Sequence, residues 1–213
     1  MKIAFFGDSL TEGFPGASYL HILGQKLPDV QLLNYGKGGD TALSLFRRIR
    51  RLSLPDDLEA SFIWVGVNDV FVHTSWIYPL LKRIRNQPWA RDLSAFRTQY
   101  SNLLEHLAPK TRFLFTVSPL FIGEDLKNRW NQELEKMSDT IKEISSGFRN
   151  IEYIDLRGVF SPLLSNEAAS QGQHYTLDGV HLNSRGAGIV ADVFLESIGK
   201  VSSELKAVLS GLN

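Results

Sequence analysis

Five residues of this chain, far apart in number, carry the groups that acyl transfer needs. Ser9 lies in GDSLTEG, Gly39 in NYGKGGDT, Asn68 in GVND, and Asp178 and His181 in DGVHLN. A serine hydroxyl is a poor nucleophile at neutral pH until a base accepts its proton, and imidazole is the side chain suited to that task. Asp178 and His181 stand three positions apart, close to one turn. If the loop curls, the carboxylate accepts the ring Nδ1–H and leaves Nε2 for the serine proton. The tetrahedral intermediate then needs donors aimed at its oxyanion. Gly39 offers a backbone N–H with no side chain in the way, Asn68 a side-chain amide, and Ser9 its own N–H. Losing one such donor typically costs about 3 kcal/mol, or 10²–10³ in rate. Activity is expected to rise with pH as the base loses its proton.

The elements that must position these residues are legible as alternating runs. Apolar stretches of strand length occur at 2–6 (KIAFF), 30–34 (VQLLN), 61–65 (SFIWV), 112–117 (RFLFTV) and 151–155 (IEYID). Between them lie helical spacings: Tyr19, Leu20, Leu23 and Leu27; Phe96, Tyr100, Leu103, Leu104 and Leu107; Leu126, Trp130, Leu134, Met137 and Ile141. Strands that are apolar throughout, joined by helix-length connections, predict a five-stranded parallel sheet covered on both faces, a three-layer α/β/α domain. In such a sheet the working crevice lies beyond the carboxyl ends of the strands, where the winding reverses. Ser9, the 34–41 loop and Asn68 each follow a strand directly, and Asp178 and His181 follow the fifth after a longer loop. The longest irregular stretches are expected at 66–92 and 156–183.

With 213 residues, 43% apolar and 22% charged, the chain reads as one domain over residues 1–213. Lys plus Arg and Asp plus Glu number 23 each, so no global field draws it to nucleic acid or an anionic surface. The apolar start, Ile3 to Gly7, is too short for a signal peptide, and no run approaches the roughly eighteen apolar residues of a membrane helix. Together with the absence of Cys, this predicts a cytoplasmic protein with no integral membrane segment, no disulfide and no thiolate chemistry. Oligomeric state is not legible.

The four blocks GDSLTEG, NYGKGGDT, GVND and DGVHLN, in that order across residues 7–183, resemble those of the GDSL esterase/lipase family, the SGNH hydrolases. The resemblance implies a flavodoxin-like sheet of order 2-1-3-4-5 and hydrolysis of an ester on a small molecule. It implies Ser9 as nucleophile, Asp178 and His181 as the rest of a triad, Gly39 and Asn68 as oxyanion donors, and no metal or organic cofactor. Small acyl esters, acetylated sugars, thioesters and lysophospholipids all remain open as substrates. A weaker similarity lies in NRWNQEL, through Asn128, Arg129 and Asn131, with no chemistry attached.

Rival readings exist for each block. GDS after a strand is also a helix cap, and DG a common turn. GKGGD lacks the spacing of either phosphate-binding loop. Asp8, Asp178 and His181 could hold a metal, though no further ligand stands near in sequence. Thr11 stands where an α/β-hydrolase elbow needs Gly. A non-catalytic ligand-binding module on the same sheet is the alternative from another functional class. His21, His73, His106 and His174 read as surface or core residues, His73 with a place near the pocket. FVHTSWIY at 71–78, Trp89 and Trp130 are candidate pocket walls. Arg47–Arg51 and Lys82–Arg85 read as solvated basic helix faces, which could favour an anionic substrate if they flanked the crevice.

Overall fold

The computed structural model describes residues 1–74, 77–165 and 174–200, and the helical backbone of 201–210. Its centre is one five-stranded sheet built from β1 (Lys2–Gly7), β2 (Gln31–Gly36), β3 (Leu58–Trp64), β4 (Thr111–Val117) and β5 (Ile151–Ile154). All pairings are parallel and the order is β2-β1-β3-β4-β5, as the sequence predicted. The first strand therefore lies inside the sheet, Ile3 facing Leu32 on one side and Ala60 on the other. Apart from Lys2 it is buried throughout, whereas the edge strand β2 is half exposed. The winding reverses beside β1, so the crevice opens at the carboxyl end of that strand, where Ser9 follows.

Helices flank the sheet: α1 (Ser9–Glu12), α2 (Tyr19–Lys26), α3 (Ala42–Ile49), α4 (Val67–Phe71), α5 (Ile77–Ile84), α6 (Leu93–Leu107), α7 (Arg129–Ser145), α8 (Leu156–Ser165) and α9 (Ser184–Ser210). α2 packs on α9, while α3 packs on α6 and α6 on α7. Neighbouring residues of a strand point to opposite faces. Phe5 accordingly stacks on Phe62 and meets Tyr19 and Phe194, while Phe6 stacks on Tyr35. No helix among the described residues is long and apolar enough to cross a membrane.

Two stretches expected to be irregular are partly helical. α4 and α5 occupy much of 66–92, and α8 begins immediately after β5 because Leu156, Phe160 and Leu164 supply a buried stripe at helical spacing. The basic run at 82–85 also departs from expectation. Lys82 is 6% exposed, facing inward, while the apolar side chains of Ile77, Leu80, Leu81 and Ile84 are exposed.

Candidate active site

The site starts at the end of β1. A Cβ on Gly7 would come within 2.5 Å of the Trp64 carbonyl oxygen, so only glycine lets the chain turn here into α1. Asp8 caps that helix, its Oδ1 accepting the Leu10 N–H at 3.0 Å. Ser9 opens it, and its side chain reaches the cavity at the crevice. Asp178 Oδ1 accepts the N–H groups of Val180 (3.1 Å) and His181 (2.8 Å), curling the loop. The same carboxylate reaches His181 Nδ1 through Oδ2 at 2.7 Å, and His181 Nε2 lies 3.1 Å from Ser9 Oγ. With Nδ1–H donated to the acceptor-only carboxylate, Nε2 carries the lone pair facing the serine hydroxyl. Partial burial pushes the Asp178 carboxyl up, but hydrogen bonds from the His181 N–H, its ring and the Val180 N–H prevail and hold it below the usual range.

The second wall is the loop after β2. Lys37 N–H bonds Gly7 O at 3.0 Å and Gly38 N–H bonds Glu12 Oε2 at 2.7 Å, tying the loop to α1. Gly39 has φ +81°, a conformation that a side chain would strain. Among the described residues, neither the Ser9 nor the Gly39 N–H finds an acceptor. Gly38 passes close to the serine, a Cβ there falling 3.9 Å from Ser9 Cβ, although Gly39 itself does not line the cavity. Asn68, on α4, lines the cavity and donates from Nδ2 to Asp8 Oδ2 at 3.0 Å, which leaves its second amide hydrogen free.

The cavity measures about 180 Å³, with Val67, Phe71, Ile122 and Val180 as apolar walls around Ser9, Asn68, Asp178 and His181. The structure thus brings four of the five sequence-predicted residues into one pocket and puts Gly39 on the adjoining loop. Among the described residues no group of three or more His, Asp or Glu could hold a metal ion. Asp8 is occupied by Leu10 and Asn68, and Asp178 by His181, so the metal reading of these residues has no geometric support.

A sequence model of the GDSL-like lipase/acylhydrolase family matches residues 5–189. The chain belongs to that family. As a GDSL-like acylhydrolase it is a serine hydrolase acting on ester bonds. Among solved structures, the acetyl xylan esterase AlAXEase aligns with a TM-score of 0.76 at 25% identity, covering 93% of this chain and 100% of that one. Axe2, an acetylxylan esterase from Geobacillus stearothermophilus, gives 0.74 at 20% identity over 93% and 94% of the two chains. LAE5, an α/β hydrolase enzyme from the metagenome of Lake Arreo, Spain, gives 0.73 at 21% over 94% and 95%. The last two likenesses are of fold. No curated protein sequence matches the chain.

Several residues that shape this pocket carry no sequence signal of their role beyond the NRWNQEL similarity. Glu124 accepts the N–H groups of Tyr175 and Thr176 and the Thr176 hydroxyl through Oε1, and meets His174 Nδ1 through Oε2, anchoring the loop that bears His181. Asn131, fully buried, accepts the Ile122 N–H and donates to the Asp125 carbonyl, clamping the segment that carries Ile122 and Gly123 to the pocket. NRWNQEL thus has a scaffolding role, Asn128 capping α7. Lys82 places its ammonium on Gly39 O and, at 3.2 Å, on Asn68 Oδ1. Of the expected aromatic wall, Phe71 lines the pocket, whereas Trp130 and His73 line a neighbouring cleft on the other side of α4, with Asp69 and Met137. His73 is therefore no part of the pocket. Trp76 lies outside the described residues. Arg47, Arg48, Arg51 and Arg85 share a separate surface pocket with Lys37, and Arg48 is paired with Asp40.

Proposed function

We propose that this acylhydrolase removes short acyl groups, acetyl above all, from a sugar ester, through an acyl-enzyme on Ser9. The observation that carries the reading is the unbroken relay from Asp178 Oδ2 to His181 Nδ1 (2.7 Å) and from His181 Nε2 to Ser9 Oγ (3.1 Å). Ser9 Oγ attacks the acyl carbon as His181 Nε2 takes its proton, and Asp178 holds the ring and stabilises the imidazolium. The carbonyl oxygen becomes an oxyanion received by the N–H groups of Ser9 and Gly39 and by Nδ2 of Asn68. Collapse expels the sugar alkoxide, which takes the proton from His181. Water then repeats the sequence on the acyl-enzyme, releasing the carboxylic acid and restoring Ser9.

Two features support the short acyl group. The cavity of about 180 Å³ is smaller than the roughly 300–1,000 Å³ of sites that take drug-sized ligands. The structural relative AlAXEase is an acetyl xylan esterase. The test is a p-nitrophenyl ester series from two to sixteen carbons, alongside acetylated xylo-oligosaccharides and a lysophospholipid. Turnover is expected to peak at two carbons and to include the acetylated sugar; a maximum at eight carbons or beyond overturns the acyl assignment. A fluorophosphonate should add mass at Ser9, and neither Ser9→Ala nor His181→Ala should label or turn over substrate.

A further inference from the structure

Beneath the oxyanion donors lies a buried polar network that the triad does not use. Its centre is Lys82, 6% exposed, on the inner side of α5. An ammonium has three donors and no acceptor, so it meets only acceptors. Lys82 donates to Gly39 O, on the loop after β2, and to Asn68 Oδ1, on α4, at 3.2 Å. One cation thus spans the two separate elements that present oxyanion donors. At the far end of the Asn68 amide stands Asp8, whose Oδ2 accepts from Nδ2 at 3.0 Å. With Lys82 at its oxygen and Asp8 at its nitrogen, the Asn68 amide has one satisfactory orientation, in which Nδ2 can serve the pocket.

Gln87, 2% exposed, completes the grip by donating from Nε2 to Gly38 O at 2.8 Å. Gly38 O and the Gly39 N–H belong to the same peptide unit, so a donor on the oxygen draws density from the nitrogen and strengthens its N–H as a donor. Lys82 acts likewise on the Asn68 amide through Oδ1, and more strongly because its donor is charged. Burying an ammonium is costly, and burial does push the Lys82 amine down; Asp69, Asp8 and Asp40 oppose this from the elements packed around it.

We propose that Lys82 and Gln87 are positioning residues for the oxyanion hole: Lys82 polarises Asn68 and fixes it together with the Gly39 loop, and Gln87 polarises the Gly38–Gly39 peptide. The proposal rests on Gly39 and Asn68 being the oxyanion donors. Only interactions that strengthen in the transition state raise kcat, so both residues should act on kcat far more than on KM.

The experiment measures kcat and KM on p-nitrophenyl acetate, per serine titrated to completion by a fluorophosphonate, for Lys82→Met, Lys82→Gln and Gln87→Leu, each alone and with Asn68→Ala. Unfolding curves accompany each variant. Lys82→Met is expected to lower kcat about tenfold or more, with KM within about threefold. In the Asn68→Ala background the same change should cost markedly less, because the group it acts through is gone. Gln87→Leu, which also removes a buried Oε1 that has no partner, should lower kcat about threefold in both backgrounds, since it acts through Gly39. If Lys82→Met does not fold, Lys82→Gln, which keeps a donor but no charge, should give a smaller loss of the same kind. An unchanged kcat per titrated serine in a folded Lys82 variant overturns the proposal, as does an equal loss in both backgrounds. An unchanged kcat in Asn68→Ala alone overturns the oxyanion assignment itself, whereas a reduced kcat there with intact Lys82 variants sinks only the positioning role.

Discussion

The local geometry of Asp178 explains how one short turn supplies both members of a relay. Its Oδ1 closes the loop onto Val180 and His181, and its Oδ2 sets the imidazole, so the residue that orients the ring also builds the turn that carries it. Asp178→Asn keeps the shape but puts an amide where Nδ1–H needs an acceptor. Such a change in a buried triad lowers kcat about 10⁴-fold. Here the Asp178 side chain is 53% exposed, so water partly substitutes and a fall of about 10²-fold is expected, read as kcat/KM on p-nitrophenyl acetate. Because the hydrogen bonds to Asp178 hold its carboxyl low, it stays ionised across the neutral range.

Elements rather than single residues decide whether the relay closes. The loop bearing His181 is fastened by the Leu177 N–H to His181 O (2.7 Å), the Gly123 N–H to Gly179 O (2.7 Å) and the Ala17 N–H to Leu182 O (2.8 Å). Glu124 adds the bonds to Tyr175, Thr176 and His174. Glu124→Ala should loosen the 174–183 loop as a unit. The expected outcome is a kcat lowered about tenfold with Ser9 still labelled by a fluorophosphonate, and faster amide exchange confined to the Tyr175–Leu182 backbone. α5 shows a different lesson. Its apolar residues at 77, 80, 81 and 84 mark one stripe, yet the inward side is the one with Lys82. The pull of Asp8, Asp40 and Asp69 and the acceptors on Gly39 and Asn68 outweigh the burial of that stripe.

For the molecule as a whole, one aromatic cluster ties α2 and α9 to the sheet. Phe194, fully buried, touches the rings of Phe5, Tyr19, Phe62 and Trp64. Phe194→Ala should cost about 3–5 kcal/mol, read from urea unfolding. Stability should also depend on pH through two buried carboxyls. Burial pushes Asp69 up to about 7 and Asp8 up to about 6, against hydrogen bonds and the nearby Lys82. Between their ordinary value of 3.8 and these raised values, the folded protein holds protons that the unfolded chain has released. Stability from these groups therefore falls as pH rises through that window and levels off above it. Asp69→Asn should shrink the loss between pH 5 and 7.5 by at least about 1 kcal/mol. The sequence by itself determined the α/β class, the five strands and four of the pocket residues, because strand periodicity, the residues just past a strand's end and the three-residue spacing of Asp178 and His181 are local properties. It also told where Ser9 stands, since a residue directly after the first strand reaches the crevice only if that strand lies inside the sheet. What the tertiary structure alone decided was which charges go inward. Lys82, Gln87 and Glu124 resemble ordinary surface residues in sequence, and their partners are up to 52 positions away. Burial of a polar side chain is set by the distant acceptors and donors that the fold brings to it, and no local pattern records them.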